Sequence, residues 1–159
     1  MKTFNQFVKE SIELFDNNTK NYFRNPNLSL EDLEKHSTHE DRHIRQAVAS
    51  HPNINKDLLA KMATDSEHDV RLAVANHKNT SSDILNNLAK SPSSYIKIAV
   101  ARHENTSPVT LRMLAIERAS SPEVLTTIMN NKNADEETKS YAKRNPNIDN
   151  QFKTRFNIG

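Results

Sequence analysis

Asp69-Val70-Arg71-Leu72-Ala73-Val74-Ala75-Asn76-His77-Lys78-Asn79-Thr80 decides the fold, because the chain writes this stretch three times. Twenty-six residues earlier stands His43-Ile44-Arg45-Gln46-Ala47-Val48-Ala49-Ser50-His51-Pro52-Asn53-Ile54. Twenty-six residues later stands Tyr95-Ile96-Lys97-Ile98-Ala99-Val100-Ala101-Arg102-His103-Glu104-Asn105-Thr106. A fixed period of this size marks stacked repeats, each burying its apolar side against the next.

Aligning the three copies assigns a role to each column. Ile44, Val70 and Ile96 share one position and Val48, Val74 and Val100 another, four residues on, which is the spacing of one helical face. Ala47, Ala73 and Ala99 lie beside them, small enough to let neighbouring helices approach closely. Beyond the helix comes a turn begun by Asn25, His51, His77 and His103, with Asn27, Asn53, Asn79 and Asn105 two places on. Ser29, Asn55, Ser81 and Ser107 follow and are favoured N-cap types, and Pro108 suits the first helical position after Ser107. Leu33, Leu59, Leu85 and Leu111 then mark the buried side of a shorter helix. Each unit is thus a helix, a tight turn and a shorter helix. The lone glycine is Gly159, so none is available to end these helices at positive φ. The Asn25/His51/His77/His103 column is therefore expected in the left-handed region, which Asn and His enter more readily than most residues.

The period weakens after Ala115. Ser120-Ser121-Pro122-Glu123-Val124-Leu125 repeats Thr106-Ser107-Pro108-Val109-Thr110-Leu111 after only 14 residues, and Asn145-Pro146-Asn147-Ile148 restores the turn. Residues 116–150 accordingly read as degenerate, one shortened unit and a closing one. At the other end, Phe4, Phe7, Val8, Ile12 and Phe15 form one apolar stripe of an amphipathic helix. The expected organisation is a leader or capping helix over 1–18, a helical repeat domain over 19–150 and a flexible basic tail over 151–159.

Composition removes several functional classes. The 159 residues include no cysteine, which excludes disulfides, thiolate metal sites and Cys nucleophiles. With glycine confined to the last position, glycine-rich phosphate loops are excluded too. Net charge is +2, with 11 Lys/Arg against 12 Asp/Glu in residues 1–80 and 11 against 8 in residues 81–159. No apolar run approaches the ~20 residues that cross a bilayer. The opening lacks the apolar core of a secretory signal, so a cytoplasmic protein is expected.

The unit Asp69-x-Arg71-x-Ala73-Val74-Ala75-x-His77-x-Asn79-Thr80, with Asp83-Ile84-Leu85 and Leu88-Ala89 after it, is similar to the leucine-rich repeat variant family of HEAT-like α-solenoids. The likeness covers about residues 25–115, with echoes to 150. It implies an all-α chain forming a short right-handed α-solenoid of about four to five 26-residue two-helix repeats. It implies no particular activity, and the period here is slightly longer than is usual in that family. A second likeness lies in Met1-Lys2-Thr3-Phe4-Asn5-Gln6-Phe7-Val8-Lys9-Glu10, which resembles the head-targeting leader of T-even-like bacteriophage internal proteins. That resemblance implies a viral protein of the host cytoplasm or the virion, cut by a prohead protease after Glu10. Val8 stands where Leu or Ile is more usual in such leaders.

Candidate sites are few. Arg45, Arg71 and Lys97 share one column and would present a ridge of cations about 10 Å apart. The ridge reads either as an intramolecular ladder onto Asp41, Glu67 and Asp69 or as a strip that tracks phosphates. The histidines of the turn column lie one repeat apart, too far to share a metal ion; His39 and His43, at i, i+4 beside His36 and Glu40, are explained equally by an exposed helix start. No metal or other cofactor is expected. No serine stands in a nucleophile-elbow context and no catalytic constellation has specific spacing. HEAT-like solenoids include DNA glycosylases for alkylated bases, but those hold an extruded nucleotide with aromatic residues, and here Tyr22, Tyr95 and Tyr141 are dispersed and tryptophan is absent. The leading expectation is a non-enzymatic interaction module for a protein partner. The alternative is a nucleic-acid-binding solenoid using the Arg45/Arg71/Lys97 ridge.

Overall fold

The computed structural model describes residues 21–148, which are helical and contain no strand. Among these residues the helices are α1 (Leu30–His36), α2 (Arg42–Ala49), α3 (Lys56–Met62), α4 (His68–Asn76) and α5 (Ser82–Leu88). They continue as α6 (Ser94–Arg102), α7 (Pro108–Ile116), α8 (Pro122–Asn130) and α9 (Glu136–Arg144). The chain is all-α, and no helix of the described residues is long and apolar enough to cross a membrane.

Except at α4, which follows Glu67, and α5, each helix begins where a short polar side chain replaces a missing backbone partner. Ser29 accepts from the Asp32 N–H at 3.1 Å, Asn55 from Leu58 at 2.8 Å, Ser107 from Thr110 at 3.1 Å and Asp135 from Thr138 at 2.7 Å. Ser81 holds the same position without a side-chain cap bond. Pro108 and Pro122 open α7 and α8, where a missing N–H leaves nothing unsatisfied.

Packing follows the columns. Leu33, Leu59, Leu85, Leu111 and Leu125 are fully buried, as are Val48, Val74 and Val100, in one continuous core. Helix α2 packs on α4, α4 on α6 and α6 on α8, while α7 packs on α9. Consecutive helices also touch, α3 on α4 and α5 on α6 for example, so each joins its sequence neighbour to its structural one. The alanines closed off completely among the described residues are Ala49, Ala75, Ala101, Ala115 and Ala142. Ala47 and Ala73 remain part-exposed at the margin of the core. In α9 the leucine position is taken by Lys139, and only Thr138 and Ala142 are buried.

The expectation of a degenerate segment over 116–150 is corrected, as far as Ile148. Helices α1, α3 and α5 have seven residues each, whereas α7, α8 and α9 have nine. The turn begun by His103 recurs at Glu117, Asn131 and Asn145, each closed by an N–H bond back over three residues. The short helix has gained two residues and come to equal the long one. Two helices then span 28 residues in place of 26, and the half-unit of 14 becomes a repeat in itself.

Candidate functional surface

The recurring turn is built by side chains. His77 ends α4 at φ −77° and ψ 126°, His103 ends α6 at φ −67° and ψ 135°, and Asn131 and Asn145 are likewise extended. The expectation of a left-handed Asn/His column is therefore wrong at these positions. The residue types are explained by hydrogen bonding. Asn25, Asn131 and Asn145 each accept the N–H two residues on through Oδ1, the Asx-turn arrangement. In His51, His77 and His103 the ring Nδ1 accepts that N–H, at 3.2, 3.2 and 3.0 Å.

The far end of the same side chain reaches the previous unit. His51 Nε2 donates to the Asn25 carbonyl at 3.0 Å, His77 to His51 at 3.1 Å and His103 to His77 at 3.0 Å. Asn131 Nδ2 continues the series onto the Ala101 and His103 carbonyls, and Asn145 onto those of Ala115 and Glu117. An Nδ1 that accepts leaves the proton on Nε2, so each ring is neutral and in one tautomer. Burial lowers the His77 pKa below the usual histidine value, opposed by the bond to the His51 carbonyl and helped by the charge of Lys78. The second asparagine of the turn adds a clamp. Asn53 donates to the Pro26 and Leu28 carbonyls, Asn105 to Lys78 and Thr80, Asn133 to Glu104 and Thr106, and Asn147 to Arg118 and Ser120.

The opposite edge carries the cations. Arg45 grips the Asp65 carboxylate with two bonds, Nε to Oδ2 at 2.7 Å and an Nη to Oδ1 at 3.0 Å. It also donates to the His39 and Glu40 carbonyls. That grip, helped by the Glu67 N–H, holds the Asp65 carboxyl below the usual carboxylate range. Lys97 is buried and bonded to Glu117. Arg71, half-buried, donates to the Asp65 and Ser66 carbonyls. The column thus lies between turns and joins them. Its carboxylate partners come 20 residues downstream, not from Asp41, Glu67 or Asp69. Asp41 caps α2 by accepting from the His43 N–H, and Glu67 and Asp69 face Arg42 at 3.7 and 4.0 Å.

The remaining candidates fall apart spatially or serve local structure. His39 Nδ1 accepts from the Asp41 N–H, His43 is exposed, and no group of three or more His, Asp or Glu is placed to hold a metal ion among the described residues. His68 Nε2 lies 2.6 Å from the Ser93 hydroxyl and its Nδ1 3.3 Å from Asp69, the atom order of an acyl-transfer triad. The carboxylate is adjacent in sequence and 46 % exposed, the ring packs edge-on to Tyr95, and Ser93 caps α6. This is a link between the starts of α4 and α6. Glu10, the expected leader cleavage position, lies outside the described residues, as do the 1–18 leader and the 151–159 tail.

What is left open is a surface. A groove of about 530 Å³ runs between α2 and α4, walled by Gln46, Ser50, Asp69, Leu72, Ala73 and Asn76. Further along the same face stand half-buried Ile98 and Tyr95, the latter 72 % exposed. No family model matches the chain, and no curated protein and no solved structure does.

Proposed function

We propose that this chain is a non-enzymatic α-solenoid of the leucine-rich repeat variant, HEAT-like kind, holding a protein partner on the face of α2, α4 and α6. The observation that carries the reading is the repeated clasp between turns: one unit is used again and again, and the polar groups best placed for chemistry are consumed in joining units. A scaffold so made offers extended surface, the property repeat proteins exploit. The groove beside Leu72 and the exposed Tyr95 supply the apolar and aromatic groups that anchor protein interfaces. The likeness of residues 1–10 to phage head leaders adds the setting: a bacteriophage protein packaged in the head or acting on a host factor. The nucleic-acid alternative is weakened because Arg45 and Lys97 already have internal carboxylates.

The test is capture of partners from source cells by the wild-type chain and by Leu72→Lys and Tyr95→Ala variants of unchanged helix content. A protein retained by the wild type and lost from both variants supports the reading. A protein bound equally by all three, or no specific protein at all, overturns it. Nucleic acid captured in its place, released by salt and lost in Arg71→Glu, would favour the alternative.

A further inference from the structure

The three histidines do a job that asparagine does elsewhere in the same chain. Asn25, Asn131 and Asn145 close the turn through Oδ1, and the last two reach the preceding unit through Nδ2, with groups that do not titrate. His51, His77 and His103 close it through Nδ1, which accepts only while unprotonated. They are 2, 7 and 8 % exposed and stand in one column, each donating to the carbonyl of the turn residue one unit earlier. A proton arriving at Nδ1 would set N–H against N–H inside the turn and place a charge in a buried site.

The geometry points to a built-in acid-sensitive segment: below neutral pH the units joined through His51, His77 and His103 loosen, while those joined through Asn131 and Asn145 hold. The charged surroundings favour this. Lys78 stands beside His77, His51 and His103 lie on either side of it, and Asp69 shares its groove wall without a bond to the ring. Glu104, which follows His103 in the chain, faces Lys132 at 3.7 Å. The surface of α2, α4 and α6 is carried by this same segment.

The experiment is amide hydrogen exchange on the full chain at pH 7.5 and 5.0, corrected for intrinsic rates, with the histidine rings followed by nitrogen NMR. At pH 7.5 the three rings should carry their proton on Nε2. At pH 5.0 the protection of the Asn53, Asn79 and Asn105 amides should fall at least tenfold, with that of Asn133 and Asn147 unchanged. His36, His39, His43 and His68 also lie in the earlier part of the chain, so the variant that isolates the column is His51→Asn/His77→Asn/His103→Asn. It should abolish the difference. His77→Asn alone, the milder change, should abolish it at Asn79. Equal loss in both parts of the chain, no loss at pH 5.0, or an undiminished loss in either variant overturns the proposal.

Discussion

A histidine that accepts with one nitrogen and donates with the other cannot be exchanged for an apolar residue of similar size. His77→Leu should cost about 1–3 kcal/mol, because the Asn79 N–H loses its acceptor and the His51 carbonyl keeps only the bond from the Ile54 N–H. His77→Asn should retain more than half of that. The two variants are separated by urea denaturation at pH 7.5. Arg45 belongs to the same scale: Arg45→Ala leaves Asp65 with an uncompensated charge at a site 10 % exposed and should cost about 3 kcal/mol. Because the Asp65 pKa is depressed in the fold, its contribution is present above the usual carboxylate range and is lost as pH falls through the folded value. The acid sensitivity of stability should therefore diminish in Asp65→Asn. At this scale the sequence was legible in part. The columns Asn25/His51/His77/His103 and Arg45/Arg71/Lys97 stand out by period alone, but the partners of the histidines, Arg45 and Lys97 lie far along the chain. Asp65 and Glu117 sit 20 residues beyond Arg45 and Lys97, and only the return of the chain shows that the carboxylate meets the cation there. The left-handed expectation failed for a related reason. Absence of glycine is a statement about backbone freedom, whereas the turn is satisfied by side-chain hydrogen bonds at negative φ.

At the scale of the helix, caps and leucines separate cleanly. Asn55→Ala should destabilise by about 1 kcal/mol, since Asn55 accepts from Leu58. Ser81→Ala should change stability by less than half as much, since Ser81 holds the cap position without a side-chain bond. Thermal melting of the pair tests the contrast, and equal shifts would contradict it. Leu85→Ala, in a fully buried site, should cost about 2–5 kcal/mol. The helical order through α6 was readable from period and caps, because a 26-residue repeat fixes where each helix begins. Beyond Ala115 the reading failed, since one helix lengthened by two residues while the turn stayed the same. A search for the old period meets a mismatch there. The 14-residue recurrence of Ser107 and Ser121, extended to Asp135, was the signal that the half-unit had become the repeat.

Across the molecule, length is modular. Removing residues 53–78, one whole period, joins Pro52 to Asn79 and regenerates the turn His51-Pro52-Asn79-Thr80. The shortened chain should keep its helix content per residue and unfold cooperatively. Removing residues 53–65, half of a period, joins units out of register and should abolish cooperative unfolding. Circular dichroism during thermal unfolding distinguishes the two. The joining of successive turns by side chains is read most directly from through-space NMR contacts of ring and amide side-chain protons on the full chain. The His77 ring should contact the turn begun by His51, His103 that begun by His77, and Asn131 that begun by His103. Side chains that contact only their own turns, with no cross-peaks to residues 26 or 28 earlier, would contradict it.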